Sequence, residues 1–190
     1  MKTFILGICL IWALSPLPVH AEINSLSQAI NESGRLRMLS QRLAKAYLLK
    51  AMDIQPKKVH RQFIESQQLF ASNLAELESF SQSINYSMSL KMTIKEIEFQ
   101  WHNYRELLIK PTNKIHAGEI LALSDRTLAA CEALVVQLEQ SAQRQSARWV
   151  NLSGRQRMLS QRIAKFYSAI SLSGNLEPYD QSLQQAVNEF

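Results

Sequence analysis

Residues 30–47 read INESGRLRMLSQRLAKAY, and residues 150–167 read VNLSGRQRMLSQRIAKFY. The two segments lie 120 residues apart and are identical at thirteen of eighteen positions. Neither contains proline, and their apolar residues recur at the spacing of three and four that is typical of an amphipathic helix. The sequence around the two copies shows no comparable match, so the repeat marks this segment as a helical unit that the chain uses twice.

Long helices extend outward from the repeat, and most of the few glycines and prolines lie at their ends. The spacing predicts a first helix over about 24–53, a second over about 56–82, a third over about 87–109 and a fourth after Gly118. The third has a coiled-coil seam with steps of four and three: Leu90, Ile94, Ile97, Trp101, Tyr104 and Leu108. Matched helices joined by short turns predict an all-α, up-down-up-down four-helix bundle.

The chain is longer than this bundle requires. The fourth helix would close the bundle near Gln145, yet the helical pattern resumes through Leu172. We therefore predict a bundle domain over residues 22–147, and a truncated second repeat over residues 148–190 that adds a C-terminal helix packed on the bundle. The direction of the second copy stays open. One unbroken helix over 120–172 would make it antiparallel to the first, whereas a parallel pair requires a turn near 145–150 or a dimer.

Composition and the first residues restrict the functional classes. Five glycines and five prolines among 190 residues disfavour turn-rich β folds and glycine-loop nucleotide sites. Lys2 and the apolar run over residues 4–14 precede Val19-His20-Ala21, which predicts a cleaved secretory signal over residues 1–21 and a periplasmic protein. The net charge of +5 would permit nucleic-acid binding, but export argues against it. Cys131 lies on an apolar helical seam and is predicted to be a packing thiol.

The repeated segment has a polar patch where a core stripe is expected. On a helical wheel the middle of the apolar face of the first copy is filled by Ser33, Gly34, Arg37 and Gln41, and that of the second by Ser153, Gly154, Arg157 and Gln161. A buried guanidinium cannot lose its proton and must find acceptors. Two interpretations stay open at this point. Each arginine pairs with a glutamate across the bundle, with Glu96, Glu98 and Glu106 as candidates, or the two copies lie side by side and hold a small anion.

The motif Asn-x-x-Gly-x-x-Arg-Met-x-Ser-x-Arg, present in both copies, resembles the periplasmic sensor domain of NarX-type nitrate/nitrite sensor kinases and PilJ-type chemoreceptors. In the nitrate sensors, the arginine three residues after the glycine binds the anion between two copies of the first helix of a dimer. The resemblance implies that Arg37 and Arg157 hold this role here and that one chain could supply both copies. The predicted ligand site comprises Ser33, Gly34, Arg37, Met38, Gln41, Ser153, Gly154, Arg157, Met158 and Gln161.

These features together predict a sensing or ligand-binding domain, not an enzyme. No nucleophile elbow, phosphate loop or metal-ligand spacing stands out, so neither a cofactor nor a metal is expected. The expected ligand is a small anion, with a nitrate-like oxyanion as the candidate, and the expected partner is a membrane-bound sensor kinase or chemoreceptor, with a homodimer as an alternative assembly. The alternative is a helical adaptor that binds a homologous sensor or chemoreceptor directly, without a ligand.

Overall fold

The computed structural model describes residues 23–83, 87–142 and 145–190, and these form helices joined by short turns. The helices are α1 (Leu26–Ala51), α2 (Pro56–Ser83), α3 (Met88–Leu108), α4 (Ala117–Ala142), α5 (Gln145–Ser173) and α6 (Asp180–Glu189), with a 3₁₀ turn (Lys114–His116) before α4. Within these ranges no helix has both the length and the hydrophobicity needed to cross a bilayer. The predicted signal segment, residues 1–21, lies outside the described residues.

The helix ends follow local sequence signals. The Ser25 side chain accepts a hydrogen bond from the backbone N–H of Gln28 and so caps α1, while Ser87 caps α3 in the same way. Pro56 is the first residue of α2, where its missing N–H costs nothing. Gly174 follows α5 with a φ of +69°, a left-handed conformation that glycine adopts without strain.

The first four helices form the predicted up-down-up-down bundle. Glu32, early in α1, accepts a hydrogen bond from Asn73 late in α2, so these helices are antiparallel. Neighbouring helices further round the bundle also run antiparallel: Lys95 early in α3 donates to Glu78 late in α2, and Gln137 late in α4 bonds to Thr93 early in α3. Phe70 of α2 stacks on Trp101 of α3 with ring centroids 4.2 Å apart. Helices α2 and α4 are therefore the neighbours of α1, and α3 lies diagonally opposite α1.

The core contains the seams that the sequence predicts. All six residues of the predicted α3 seam are buried, as is Cys131 of α4. Burial raises the pKa of the Cys131 thiol, which is therefore protonated at neutral pH. The hydroxyl of Tyr104, also on the seam, donates to the backbone oxygen of Ser40 and ties α3 to α1 across the bundle.

The fifth helix runs parallel to α1, so the two motif copies lie side by side within one chain. Gly34 is opposite Gly154, and about four turns further along both helices Leu48 packs in a cluster with Ala169. Helix α5 is antiparallel to α4, because Asn151 early in α5 bonds to Glu139 late in α4. Helix α4 ends at Ala142, slightly before the turn that a parallel pair was predicted to need, and an unbroken helix over 120–172 is thereby excluded.

Helix α6 packs against α5, as predicted for the C-terminal helix. Ala186 is buried at the contact, and Glu189 forms an ion pair with Arg155 of α5. Val187 of α6 and the following Phe190 are exposed. A small residue at the contact lets the two helices approach closely.

The same helical face has different environments in the two copies. In α1, Ala29, Leu43 and Tyr47 are fully buried against the bundle. The equivalent positions of α5 lie on its outer face, where Trp149 is 61% exposed and Tyr167 is 66% exposed. Helices α2 and α3 cover this face of α1, and among the described residues no pair of helices covers it in α5.

This difference predicts unequal effects of one substitution at Tyr47 and Tyr167. The hydroxyl of Tyr47 donates to the backbone oxygen of Asn113 and accepts from its backbone N–H. Tyr47→Phe leaves both groups without this partner and should lower the free energy of unfolding by about 1–2 kcal/mol. Tyr167→Phe should change it by less than about 0.5 kcal/mol. Urea unfolding measures both, and equal effects would contradict the different burial of the two copies.

Candidate functional site

The two motif copies approach most closely at their glycines. A Cβ atom added to Gly34 would lie 3.7 Å from the Cα of Gly154, and one added to Gly154 would lie 3.6 Å from the Cα of Gly34. The backbones of α1 and α5 are therefore in contact at this point, which the absence of side chains makes possible. The repeat places one such glycine in each helix at the same level.

Arg37 lies beside this contact, and its side chain is completely buried. Its Nη1 donates to Oε2 of Glu132 in α4 at 2.6 Å, and its Nη2 donates to Oδ1 of Asn151 in α5 at 2.8 Å. The Nη2 atom also donates to the Asn151 backbone oxygen at 3.3 Å. Its Nε has no hydrogen-bond partner among the described residues. The guanidinium thus joins three helices through one buried charge.

The ion-pair interpretation of Arg37 is correct, but the glutamates suggested for it are wrong. Glu96, Glu98 and Glu106 belong to α3, which is diagonally opposite α1, so they are not its neighbours. Glu96 accepts from Gln100 and Glu98 from Lys95 instead. The partner comes from the adjacent α4 because Glu132 lies at the level of Arg37 in the antiparallel pair.

Arg157 has the equivalent position in the second copy and a different environment. Its Nη2 donates to Oδ1 of Asn31 at 3.0 Å, which mirrors the bond from Arg37 to Asn151. Each arginine therefore reaches back almost two turns to the asparagine of the other copy, as local two-fold symmetry requires. Arg157 is exposed, however, and forms no ion pair within the described part of the chain.

The two guanidinium groups converge on the glycine contact. The Nη2 atoms of Arg37 and Arg157 lie 3.1 Å and 3.8 Å from the Cβ position that a side chain at Gly154 would occupy. Glu132 neutralises one of these charges, and its own side chain is 39% exposed. One positive charge therefore stays without a paired carboxylate at the surface of the junction.

The remaining predicted site residues contribute less directly. Both serine hydroxyls bond within their own helices, Ser33 to the backbone oxygen of Ala29 and Ser153 to that of Val150. Gln41 donates to the backbone oxygen of Ser124, and Gln161 accepts from Lys45. Met38 and Met158 are buried in the hydrophobic core. The structure thus brings together the two glycines and the two arginines, whereas the other predicted residues pack around them.

Sequence reasoning missed Asn31, Asn151 and Glu132 as members of the junction. A helical wheel treats each helix alone, so it does not include the reach of a long arginine side chain from the neighbouring helix to Asn31. Both asparagines are identical in the repeat and begin its motif, which was the available signal. Glu132 has no counterpart in the repeat, so only the packing of α4 could reveal it.

The equivalent lysines of the two motif copies also have different partners. The Lys165 ammonium group is buried and donates to Oδ1 of Asp125 at 2.6 Å and to Oγ of Ser124 at 3.2 Å. Burial lowers the pKa of Lys165 to about 8, although the nearby Asp125 carboxylate opposes this shift. Lys45, its counterpart, donates to Gln161, and its pKa is lowered mainly by burial.

Comparison with known proteins identifies one family. The model of the PilJ family, described as the N-terminal domain of type IV pili methyl-accepting chemotaxis transducers, matches residues 19–130 and 140–190. The two matched segments contain one motif copy each. Searches among curated proteins and solved structures found no significant match.

The tight fit at Gly154 predicts a penalty for adding a single methyl group. A Cβ on Gly154 would lie 3.1 Å from Nη2 of Arg37, which is held by Glu132 and Asn151. We expect Gly154→Ala to lower the free energy of unfolding by about 1 kcal/mol or more. The matched control is Gly118→Ala in α4, where a Cβ meets nothing within 4 Å and should be neutral or slightly stabilising.

Chemical unfolding of both variants tests this prediction. A Gly154→Ala protein as stable as Gly118→Ala would mean that the Arg37 guanidinium can shift without losing its hydrogen bonds. That result would contradict the close coupling between the glycine contact and the buried charge.

Proposed function

Because the chain belongs to the PilJ family of N-terminal domains of type IV pili methyl-accepting chemotaxis transducers, we propose that it senses a small anion and acts through a membrane-bound chemoreceptor or sensor kinase. The family is one of sensor-type domains in chemotaxis signalling. The proposal places the protein in the periplasm, where N-terminal domains of this family typically lie, and gives it no catalytic role. The anion would bind at the junction of the two motif copies.

The observation that supports this function best is the convergence of two arginines on a contact that lacks side chains. Two guanidinium groups beside one glycine pair supply many N–H donors in a small space. Among the described residues only Arg37 has a carboxylate partner, and Arg157 is exposed with one bond to Asn31. An oxyanion that accepts hydrogen bonds from Arg157 would neutralise the charge of this arginine and leave the ion pair between Arg37 and Glu132 in place.

The proposed ligand class is a planar or tetrahedral oxyanion of small size, with nitrate and nitrite as candidates. Arginine binds such anions through two parallel N–H donors, which adds geometric selectivity to the attraction between the charges. The Glu132 carboxylate would repel a ligand that reached towards Arg37. The anion would therefore bind on the Arg157 side of the junction, and its preference for the conformation that holds α1 and α5 together there supplies a means of signalling.

Thermal unfolding of the purified protein against nitrate, nitrite, other oxyanions and small carboxylates at fixed ionic strength tests the proposal. A ligand at 100 times its dissociation constant should add about 2.7 kcal/mol to the free energy of unfolding and raise Tm by several degrees. Arg157→Ala should abolish this shift and keep the fold, because its side chain is exposed. The matched control is Arg61→Ala, an exposed arginine of α2 that should keep the shift.

Arg37→Ala adds a second measurement with a different expected outcome. Removing Arg37 leaves Glu132 and Asn151 without their partner and should lower Tm even without ligand. If no anion shifts the Tm of the unmodified protein, or if Arg157→Ala retains the full shift, the anion-sensing proposal is wrong. Arg37 would then have a structural role alone.

A second candidate function is that of an adaptor, and the outer face of α5 favours it. Trp149, Leu152 and Tyr167 are exposed on this face, although α2 and α3 bury the equivalent face of α1. A partner with helices like α2 and α3, such as a homologous PilJ-type domain, could cover it in the same manner. The two functions are compatible, since the junction and this face lie on different sides of α5.

Titration with the periplasmic domain of a chemoreceptor that carries the same motif tests the adaptor function. The double variant Trp149→Ser/Tyr167→Ser should weaken association at least tenfold, because hydrophobic contact area would be lost. The control Met92→Ser/Phe99→Ser removes comparably exposed apolar residues from α3 and should leave association unchanged. Equal losses in both variants would indicate nonspecific hydrophobic association, and no association would exclude the adaptor function for that receptor.

A further inference from the structure

A second candidate site lies between α4, α5 and α6, away from the glycine contact. It is a cavity of about 310 Å³ with an apolar surface formed by Leu128, Ala129 and Met158. This volume is at the lower end of the range for sites that bind small molecules. Neither Arg157 nor either motif glycine lines it, and Glu132 is the one junction residue that it shares.

The acidic residues of this cavity are already paired. Three carboxylates line its walls, and each forms an ion pair with a different cation: Asp125 with Lys165 at 2.6 Å, Glu132 with Arg37 at 2.6 Å, and Glu189 with Arg155 at 2.9 Å. The Glu189 carboxylate also accepts from Gln185, and these hydrogen bonds lower its pKa. Glu189 is therefore ionised at neutral pH, and Arg155 is paired with it.

Arg162 is the cation of the cavity wall that forms no ion pair within the described residues. It lines the cavity beside Met158, one turn of α5 away, and its guanidinium carbon lies 5.7 Å from the ring centroid of Phe166. Its Nε is buried without a hydrogen-bond partner, and the described residues provide no carboxylate partner for its other nitrogens. With the ion-pair partners Lys165 and Arg37 included, four cations thus lie beside the three carboxylates of the walls, and Arg162 interacts with Glu189 through charge without an ion pair of its own in the described part of the chain.

We propose that this cavity binds a small monocarboxylate with an apolar body. The carboxylate accepts hydrogen bonds from the Arg162 guanidinium, for which the paired oxygens of a carboxylate are a geometric match. The apolar body packs on Leu128 and Met158, where contact with water is reduced. A dianion is disfavoured because Asp125, Glu132 and Glu189 line the same cavity and would repel a second negative charge.

Helix α6 is coupled to this site because it supplies one wall. Glu189 fixes the end of α6 to Arg155 of α5, and Ala186 is the buried residue of α6 at the contact. A ligand that packs in the cavity contacts both α5 and α6 and so favours the docked state of α6. Binding should therefore slow amide hydrogen exchange in α6 more than in α2, which does not line the cavity.

Calorimetric titration of the full purified protein with butyrate tests the proposal, with n-butanol as the neutral analogue at the same ionic strength. We expect saturable binding of one butyrate and none of n-butanol, because the alcohol has no charge for Arg162. Arg162→Gln should weaken butyrate binding at least about tenfold, as expected when a charged hydrogen-bond partner is lost. Arg61→Gln, on the exposed surface of α2, is the matched control and should bind normally.

A second variant tests the cavity independently of charge. Ala129 is exposed at the cavity surface, so Ala129→Phe should fill the site, preserve the fold and also weaken butyrate binding at least about tenfold. The proposal is overturned if butyrate shows no saturable binding, or if binding survives unchanged in both Arg162→Gln and Ala129→Phe. Loss of butyrate binding in Arg157→Gln alone would assign the carboxylate to the junction and also overturn it.

Discussion

One buried guanidinium determines how the helices of this protein are arranged around its repeat. Arg37 cannot lose its proton, and its side chain has no contact with solvent. A charge in this position is tolerated only when acceptors surround it, and Glu132 and Asn151 come from two different helices. Helices α1, α4 and α5 must therefore meet at one level. The junction of the motif copies lies at that level, so the same residue fixes the fold and shapes the candidate site.

The glycine contact and the arginines depend on each other. Gly34 and Gly154 let α1 and α5 approach until each arginine can reach the asparagine of the other copy. A parallel helix pair with the same motif in both members is locally two-fold symmetric. Helix α4 breaks that symmetry, because it supplies a carboxylate to Arg37 and none to Arg157. If α4 supplied a carboxylate to both arginines, no unpaired charge would be left for a ligand. The proposed anion binding therefore depends on this asymmetry.

Much of the fold could be predicted from the sequence, and the failures have one physical cause. Periodicity located the helices and the α3 seam, because burial of one face requires a regular spacing. The repeat also indicated that two copies could pair within one chain. Periodicity does not specify which helices are neighbours, however, so the sequence suggested glutamates of the diagonal α3 and missed Glu132 of the adjacent α4. Asn31 was missed for a related reason, because its partner is the end of a long side chain from another helix.

The repeat itself contains more identity than the junction requires. Identity at the asparagine, glycine and arginine positions is explained by their mutual contacts. Tyr47 and Tyr167 are also identical, yet the buried Tyr47 bonds to Asn113 in the connection between α3 and α4 while Tyr167 is mostly exposed. Packing within this chain therefore accounts for Tyr47 and not for Tyr167. An exposed face built like a core face is energetically unfavourable in water unless another surface covers it. For this reason the outer face of α5 supports an interaction with a second helical domain, separately from any ligand at the junction.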